Sequence, residues 1–303
     1  MRGGCALAVA PDDRRLHLHS GPIDLIVETF APAQQRDEAY RLASRAFRDV
    51  LPDLVAELRI LRTPIEEPVA AVAGPVARRM VAACAPHRAA RVTPMATVAG
   101  AVADHVLAAM TAGADLERAY ANNGGDIAVH LEPGQSLACG VVTDVATPAL
   151  DGHIVLTHNM PVRGIATSGR AIHGQGGRSF SLGIADAVTV LARDAASADV
   201  CATLIANAVD LPGHAAIERI SASALDLDSD LGERAVTVNV GRLADAEIAG
   251  ALERGRQRAR SLERAGFIAG ALLALRRRYA IVARGAEIAG LRAFQIKGVD
   301  EST

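Results

Sequence analysis

Tryptophan is absent from this sequence, and aromatic residues make up only 3% of its 303 positions. Its sole lysine is Lys297, so no upstream lysine can form a Schiff base or serve a Walker-type phosphate loop. Lysine and arginine together number 32 against 34 aspartates and glutamates, which leaves a net charge of -2. Because nonspecific nucleic-acid binding relies on a positive surface and stacking aromatics, we expect no nucleic-acid partner.

Cysteines and long hydrophobic runs are also scarce. The four cysteines are too widely spaced for a zinc or redox motif, and we expect them to be small buried hydrophobic residues: Cys5, Cys84, Cys139 and Cys201. The longest apolar run, residues 265–275, is about half the length that a bilayer requires, so we interpret it as a packed helix. Charged residues interrupt the short apolar start of the chain, and we expect a cytoplasmic protein without a membrane span.

Half of the residues are hydrophobic and 22% are charged, a composition typical of a globular protein with a sizeable core. Apolar periodicity predicts both strands and helices. The predicted strands are 17–29 (two strands around a turn), 127–131, 154–157, 188–192 and 236–240. The predicted helices are 33–61 (with a break at Pro52), 98–110, 198–209 and 248–262. We therefore predict a single α+β domain over residues 1–303, with a helical C-terminal segment over about 244–293.

An aspartate and a threonine lie four residues apart at the beginning of the predicted helix 198–209. This spacing places Asp199 and Thr203 on one helix face. Mg²⁺ prefers oxygen ligands and usually takes one or two carboxylates together with water and substrate phosphates, so the pair is chemically sufficient. The alternative is that Asp199 stabilises the positive end of a helix, with Ser197 as a candidate N-cap.

Two asparagines, two glycines and an aspartate, residues 122–126, precede the predicted strand 127–131. The two glycines let the backbone approach a ligand closely and turn N–H groups toward an anion or a ring edge. The alternative is a tight turn stabilised by an Asn side chain.

A third candidate is the glycine-rich stretch 164–178, which contains Thr167, Ser168 and two arginines. Its N–H groups and an arginine fork could hold a phosphate. The stretch matches neither G-x-G-x-x-G nor G-x-x-x-x-G-K-[ST], and a mobile surface loop is the alternative. The histidines show no spacing typical of a metal site.

Taken together, four segments resemble, in order, motifs of the ApbE-like proteins, whose characterised members are FAD:protein FMN transferases. These are the helix entry PMATVAGAVAD (94–104), NNGGDIAV (122–129), ATSG (166–169) and ADVCAT (198–203). The closest resemblance is to an uncharacterised branch of small cytoplasmic proteins that carry GPIDLI, GPVARRM, NNGGDI and GRSFSLGIADAVTVLA. The resemblance implies an ApbE-like, T-fold-related architecture of antiparallel strands with packed helices.

The resemblance also implies the cofactors and their ligands. Mg²⁺ would be held by Asp199, Thr203 and the main-chain carbonyl of Ala96, and would bridge the pyrophosphate of FAD. The cofactor-binding residues implied by the NNGGD and ATSG motifs are Asn123, Gly124, Gly125, Asp126, Thr167, Ser168 and Gly169. In the transferases a threonine of an acceptor protein attacks the phosphoryl group and AMP leaves.

Two departures from the family pattern bear on activity. Ala99 stands before Gly100 where the family has a lysine, and residues 179–187 (SFSLGIADA) replace the family's H-I-[IL]-D-P, with Asp186 as their only acid. Two functions therefore stay open. One is a Mg²⁺-dependent FAD-binding enzyme that transfers FMN or cleaves the pyrophosphate. The other is a non-catalytic flavin- or pterin-binding accessory protein of a cofactor pathway. A third hypothesis is a docking protein that uses the arginine-rich helix 246–264.

Overall fold

The computed structural model describes residues 6–9, 14–141, 152–169, 180–283 and 295–296. The strands are β1 Ala6–Val9, β2 Arg15–Ser20, β3 Ile23–Phe30, β4 Arg118–Asn123, β5 Asp126–Leu131, β6 Ser136–Val141, β7 Gly152–Thr157, β8 Gly164–Ser168, β9 Ala187–Ala192, β10 Ile217–Ser221, β11 Ala235–Val240, β12 Gly270–Leu275, β13 Arg278–Ala283 and β14 Gln295–Ile296. The α-helices are α1 Ala33–Arg48, α2 Val50–Ala56, α3 Leu58–Leu61, α4 Pro75–Cys84, α5 Val98–Gly113, α6 Ala195–Ala208, α7 Ala222–Leu225 and α8 Asp245–Arg264. Two 3-10 helices, Ala85–Ala90 and Pro94–Thr97, lie between α4 and α5.

Nine strands form one sheet in the order β1-β2-β3-β4-β5-β8-β9-β12-β13. Each neighbouring pair in this sheet is antiparallel. Strands β14, β7 and β6 form a second sheet, and β10 pairs with β11 in a third. The predicted α+β class with antiparallel strands and packed helices is therefore confirmed.

The core lies on both faces of the large sheet. On one face α1 packs against β2 and β3, α5 against β4 and β5, α6 against β8 and β9, and α8 against β12 and β13, while α4 packs on α5 and α6. On the other face β6 and β7 cover the middle strands. The strand predicted at 127–131 is confirmed, but it is not half-buried, because Ala128 and Val129 point to opposite faces and are 1% and 3% exposed.

Helix α5 is the most apolar helical segment in the part of the chain that the structure describes. Together with the preceding 3-10 helix it spans 20 residues, Pro94–Gly113, with a mean hydropathy of 1.4, enough by length and composition to cross a membrane. In this fold it contacts α1, α4, α6, β4 and β5. Ala101, Val102 and Val106 on it are fully buried, so it forms the centre of the core.

The N-terminal half follows the sequence pattern with one correction. The strand, turn and strand predicted at 17–29 are β2 and β3, and Gly21 occupies the turn with φ of 56°. The break in the helical stretch 33–61 falls at Asp49 rather than at Pro52. Pro52 is the third residue of α2, where its missing N–H costs nothing because the first helical turn has no internal acceptor.

The helical C-terminal prediction is wrong beyond Arg264. Helix α8 ends there, and residues 270–275 form β12 between β9 and β13. All six residues of β12 are buried. A short run of apolar residues has no periodicity that distinguishes a fully buried strand from a buried helix. Residues 284–293 of the predicted segment lie outside the described residues. The single domain over 1–303 stays a prediction.

Two of the cysteines behave as the sequence predicts. Cys84 and Cys201 are buried free thiols in the core beneath α6 and α4, while Cys139 is half-buried. Burial raises the pKa of both core thiols, so they pack as small hydrophobic groups. Cys5 lies outside the described residues.

The two central helices cross in close contact at Gly100. A Cβ atom on this residue would lie 2.3 Å from the carbonyl oxygen of Ala195 and 2.8 Å from the nitrogen of Ala196. Both atoms are backbone atoms of α6, so no side chain can move aside. Only glycine allows α5 and α6 to approach this closely.

We predict that Gly100→Ala lowers the free energy of unfolding by about 1–3 kcal/mol, because the added methyl group must push the two helices apart. Gly250→Ala is the matched control: Gly250 is also helical, is exposed on α8, and has no atom within 4 Å of a Cβ position. There alanine should stabilise the protein by roughly 0.5–1 kcal/mol. Urea unfolding measures the free energy of unfolding of both variants. Equal changes in the two variants would contradict a close contact between α5 and α6 at Gly100.

Candidate functional site at the crossing of two helices

Asp104 of α5 binds the beginning of α6. Its carboxylate accepts hydrogen bonds from the N–H groups of Ala195 and Ala196 at 3.0 and 2.9 Å. The first N–H groups of a helix have no partner within the helix, so a carboxylate in this position satisfies two of them and faces the positive end of the helix dipole.

The N-cap of α6 itself is Asp194, not the predicted Ser197. The Asp194 carboxylate accepts the N–H of Ser197 at 2.7 Å. Helix α6 begins three residues earlier than the apolar pattern indicated, because Ala195 and Ala196 belong to its buried first turn.

Asp199 of α6 binds the beginning of α5 in return. Its Oδ2 accepts the N–H of Gly100 at 3.0 Å, and the N–H of Ala99 also hydrogen-bonds to the carboxylate. Each helix therefore supplies a carboxylate to the N-terminus of the other. The alternative interpretation was that Asp199 stabilises the N-terminus of its own helix, α6. Asp199 does stabilise a helix N-terminus, but it is that of α5.

The two-residue turn between β4 and β5 lies beside the beginning of α5. Gly124 and Gly125 have φ of 65° and 108°, which the tight turn of a hairpin requires and only glycine adopts freely. The side chain of Asn122 accepts the N–H of Gly125 at 2.8 Å. Asn123, which is buried, donates from Nδ2 to the carbonyl oxygen of Ala99 at 3.1 Å. The NNGGD segment is thus both a tight turn and a direct contact to the beginning of α5.

Asp126 connects the turn to the ATSG segment. Its Oδ1 accepts the N–H of Thr167 at 3.1 Å, and the hydroxyl of Thr167 lies 2.9 Å from that of Thr189. Residues 164–168 of the glycine-rich stretch form β8 next to β5 rather than a loop. Ser168 is half-buried at the end of this strand and Gly169 follows it. Residues 170–179, which include both arginines of the phosphate-binding hypothesis, lie outside the described residues.

Part of the metal and cofactor site that the sequence predicts is brought together by these hydrogen bonds and by the electrostatic interaction of Asp126 with Asp199. Asn123, Asp126, Thr167 and Asp199 converge around the beginning of α5 through the contacts above. Thr203 follows Asp199 by four residues on α6, and both are half-buried, so both keep access to solvent. Ala96 is half-buried in the 3-10 helix Pro94–Thr97, which contacts α6.

The glycines of the turn lie further out. Gly124 is exposed and Gly125 is half-buried, and neither has a heavy atom within 4 Å of a Cβ position. The outer side of the turn is therefore open.

Burial dominates the electrostatics of the three carboxyls at this site. It raises the pKa of Asp104 to about 6, against the opposing effect of the two N–H groups, and raises the pKa of Asp126 to about 7. The pKa of Asp199 is raised well above its usual value by burial and then by the charge of Asp126. None of the three forms an ion pair with another described residue. The charge of Arg79 acts on Asp104, whereas no described cation acts on Asp126 or Asp199.

Asp104 is the last residue of the PMATVAGAVAD segment, but the sequence pattern alone assigned no role to its side chain. The available signal was a single carboxylate within the otherwise apolar helix α5. A charged side chain at such a position needs a partner, and here the partner is the backbone of another helix.

Asp186, the only acid left where the family pattern has H-I-[IL]-D-P, has a structural role. Its carboxylate accepts the N–H of Arg276 in the turn between β12 and β13, and its own N–H donates to the carbonyl oxygen of Ala274 at 2.9 Å. These contacts tie β9 to the β12–β13 hairpin.

The donors present fit a hard cation. No three His, Cys, Asp or Glu side chains within the described ranges are grouped as a metal site. A cation at Asp199 would therefore rely on hydroxyl, carbonyl and water oxygens as well, which is the ligand set that Mg²⁺ accepts. A carboxylate oxygen that accepts one N–H retains a second lone pair, so the bonds to Ala99 and Gly100 orient Asp199 without exhausting it.

Comparison with known proteins places the chain in a family. It belongs to the family described as "AbpE bacteria", whose model matches residues 7–285. Membership of the ApbE-like superfamily, which the four motifs predicted, is thereby confirmed.

The relatives that match include several archaeal "UPF0280" proteins. The protein of Archaeoglobus fulgidus is 32% identical over 193 residues, which cover 61% of this chain and 73% of the relative. That of Methanoregula boonei is 40% identical over 140 residues, which cover 45% of this chain and 55% of the relative. The chain thus spans about half to three quarters of the length of these relatives. The solved structure of "Flavin Transferase ApbE from Vibrio cholerae" aligns with 92% of this chain and 97% of its own, at 13% identity and a TM-score of 0.46.

The raised pKa values predict a pH dependence of stability. A carboxyl whose pKa is higher in the folded state than in the unfolded chain stabilises the fold fully below the unfolded pKa of about 3.9, and this contribution is lost as the pH rises through the folded pKa. For Asp104 and Asp126 the loss falls between about pH 4 and pH 7. In EDTA these carboxyls should therefore make the protein less stable at pH 8 than at pH 5, an effect that is partly offset by His87, whose lowered pKa adds stability between about pH 4 and pH 6.5.

Asp126→Asn should reduce this loss, since asparagine keeps an oxygen for the N–H of Thr167 but cannot ionise. Urea unfolding at pH 5, 6, 7 and 8 measures the slope. The control is Asp37→Asn on α1, whose side chain is 71% exposed and which should leave the slope unchanged. Parallel curves for wild type and Asp126→Asn would show that Asp126 is not the titrating group.

Proposed function

We propose that the protein binds a flavin nucleotide, FAD, in a Mg²⁺-dependent manner, and acts as an FMN transferase or an FAD pyrophosphate-cleaving enzyme. The observation that carries the proposal is the Asp199 carboxylate. It is held at the N-terminus of α5 by two N–H groups, lies within electrostatic range of Asp126, and has no cationic partner among the described residues. Membership of the "AbpE bacteria" family and the four motifs support flavin as the ligand.

The residues that would hold Mg²⁺ are Asp199, Thr203 and the carbonyl of Ala96. When bound, the ion would supply positive charge to a pyrophosphate. The chain's own contribution is to position these oxygens. Asp199 is fixed by Ala99 and Gly100, and Asn123 holds the carbonyl of Ala99, so the beginning of α5 cannot shift without breaking both contacts.

The flavin would contact the turn between β4 and β5. Its two glycines leave the outer side of the turn open, and backbone N–H groups in such a turn can face a ring edge or the ribityl chain. Asp126, with a pKa of about 7, can hold or release a proton near neutral pH. The remaining ATSG residues, Thr167, Ser168 and Gly169, follow on the neighbouring strand.

A second candidate function is favoured by a separate observation. The position of the family lysine is Ala99, whose N–H and C=O groups are both used in the contacts at the helix entry, and whose methyl side chain cannot bind a phosphate. Asp186 is engaged by the β12–β13 turn. Both facts favour a flavin- or pterin-binding accessory protein that leaves its ligand intact. A nucleotide cofactor is a partner in either case, and an acceptor protein only in the first. We place both functions in the cytoplasm.

Flavin fluorescence during titration of FAD, with Mg²⁺ and with EDTA, tests the proposal. Binding should require Mg²⁺ and should weaken at least about tenfold in Asp199→Asn, since one charged ligand is lost. Thr203→Val removes a hydroxyl at constant shape and should weaken binding too. Thr111→Val on α5 is its matched control, because that hydroxyl bonds only to the carbonyls of its own helix.

Chromatography of the nucleotides after the titration separates the two candidates. The incubation also contains a threonine-bearing acceptor peptide, because a transferase without an acceptor leaves FAD intact. Release of AMP then identifies the enzyme, while a tight complex with intact FAD identifies the accessory protein. FAD binding that is indifferent to Mg²⁺ and to Asp199→Asn would contradict the metal site. An absence of FAD binding in both conditions would contradict the flavin assignment.

A further inference from the structure

A cavity of about 510 Å³ lies beside the C-terminal half of α6. Its walls come from the 3-10 helix Ala85–Ala90, from α6, from α8 and from the segment that follows α8. Its polar and aromatic lining residues are His87, Asn207, Arg234, Arg258, Ser261 and Phe267. The volume falls within the range of about 300–1,000 Å³ that is usual for small-molecule sites.

The charge of this cavity is unbalanced. Arg234 and Arg258 line it, and none of the described lining residues is an aspartate or glutamate. Neither arginine forms an ion pair with any residue that the structure describes. Arg258 is half-buried, and it lies close enough to the buried groups His87 and Cys201 for its charge to act on both.

Another cavity in the described structure does not share this imbalance. It has a volume of about 460 Å³ between α1, α2, α4 and α5. There Arg45 is accompanied by Asp49 and Asp53. That cavity has two carboxylates beside its arginine, whereas the described lining of the cavity beside α6 has none.

The floor of the charged cavity is apolar and aromatic. Phe267 meets the ring of His87 edge-on with a centroid distance of 4.6 Å, and Val92, Leu182 and Leu204 add aliphatic surface. Burial lowers the pKa of His87 to about 4, so its ring is neutral at physiological pH and adds no charge. Asn207 uses its side-chain oxygen to accept the N–H of Leu182 at 3.1 Å, which leaves its NH₂ group as a donor.

The cavity is separate from the carboxylate site. Asn207 follows Asp199 by eight residues on α6, which corresponds to about 12 Å along the helix axis. None of Ala96, Asn123, Asp126, Asp199 and Thr203 lines the cavity.

We propose that this cavity is a second binding site, for a small phosphate monoester with a flat apolar body. The phosphate, with a charge of about -1.5 to -2, matches the two guanidinium groups, which bind phosphate oxygens in bidentate fashion. The apolar body lies against Phe267 and the aliphatic wall. The site goes beyond the proposed flavin function and does not depend on it.

The test is isothermal titration with phenyl phosphate as the probe. Wild type should bind it saturably, inorganic phosphate should compete, and phenol should not. Arg258→Gln and Arg234→Gln should each weaken binding by about tenfold or more, since each removes a charge-assisted contact. Arg45→Gln, in the charge-balanced cavity, is the matched control and should leave binding unchanged. Benzoate, which carries a single charge, should bind more weakly than phenyl phosphate.

Binding of phenyl phosphate should persist in EDTA and in Asp199→Asn, which separates this site from the flavin site. Loss of binding in those conditions, equal loss in Arg45→Gln, or equal affinity for benzoate would each overturn the proposal. Hydrogen exchange of the wild type provides a measurement without any variant. Phenyl phosphate should slow exchange in 204–208 and 258–267, and protection elsewhere only would also overturn it.

Discussion

The fold depends on a reciprocal exchange of carboxylates between two helices. Asp104 of α5 satisfies the first N–H groups of α6, and Asp199 of α6 satisfies those of α5. Two helix N-termini carry partial positive charges and would repel each other at this distance, so the carboxylates make the crossing favourable. Gly100 makes it sterically feasible. Strand β4 reaches the crossing through Asn123, which bonds to Ala99, and Asp126 of β5 lies within electrostatic range of Asp199 there.

The same exchange creates the chemistry of the site. Asp126 is buried and Asp199 is half-buried at the helix ends. Burial raises the pKa of both carboxyls, and the charge of Asp126 raises that of Asp199 further. Such an arrangement reduces the stability of the empty protein near neutral pH and favours whatever supplies positive charge there. Asp199 therefore has two roles, because the carboxylate that could bind a cation also holds the beginning of α5 in place.

Much of the fold could be predicted from local sequence patterns, whereas only part of the candidate site could be. The alternation in β3, the glycine pair between β4 and β5, and the apolar spacing in α5 and α6 are local signals, and each predicted its element. The partner of Asp199 is 99 residues away and that of Asp104 is 91 residues away, so no spacing rule connects them. For β12, burial on both faces removes the alternation that distinguishes a strand from a helix. The NNGGD and ADVCAT motifs predicted which residues matter, whereas their contacts through Ala99 and Gly100 required the tertiary structure.

The proposed site for a divalent cation consists of Asp199, Thr203 and the carbonyl of Ala96 at the helix crossing. Thermal unfolding with MgCl₂, against NaCl of equal ionic strength, tests it at pH 8 and at pH 5. We expect Mg²⁺ to raise the melting temperature more at pH 8 than at pH 5, because the pKa of all three carboxyls is raised and protons compete with the cation for their oxygens. The same melting temperature in both salts at pH 8, or an equal rise at both pH values, would contradict the claim.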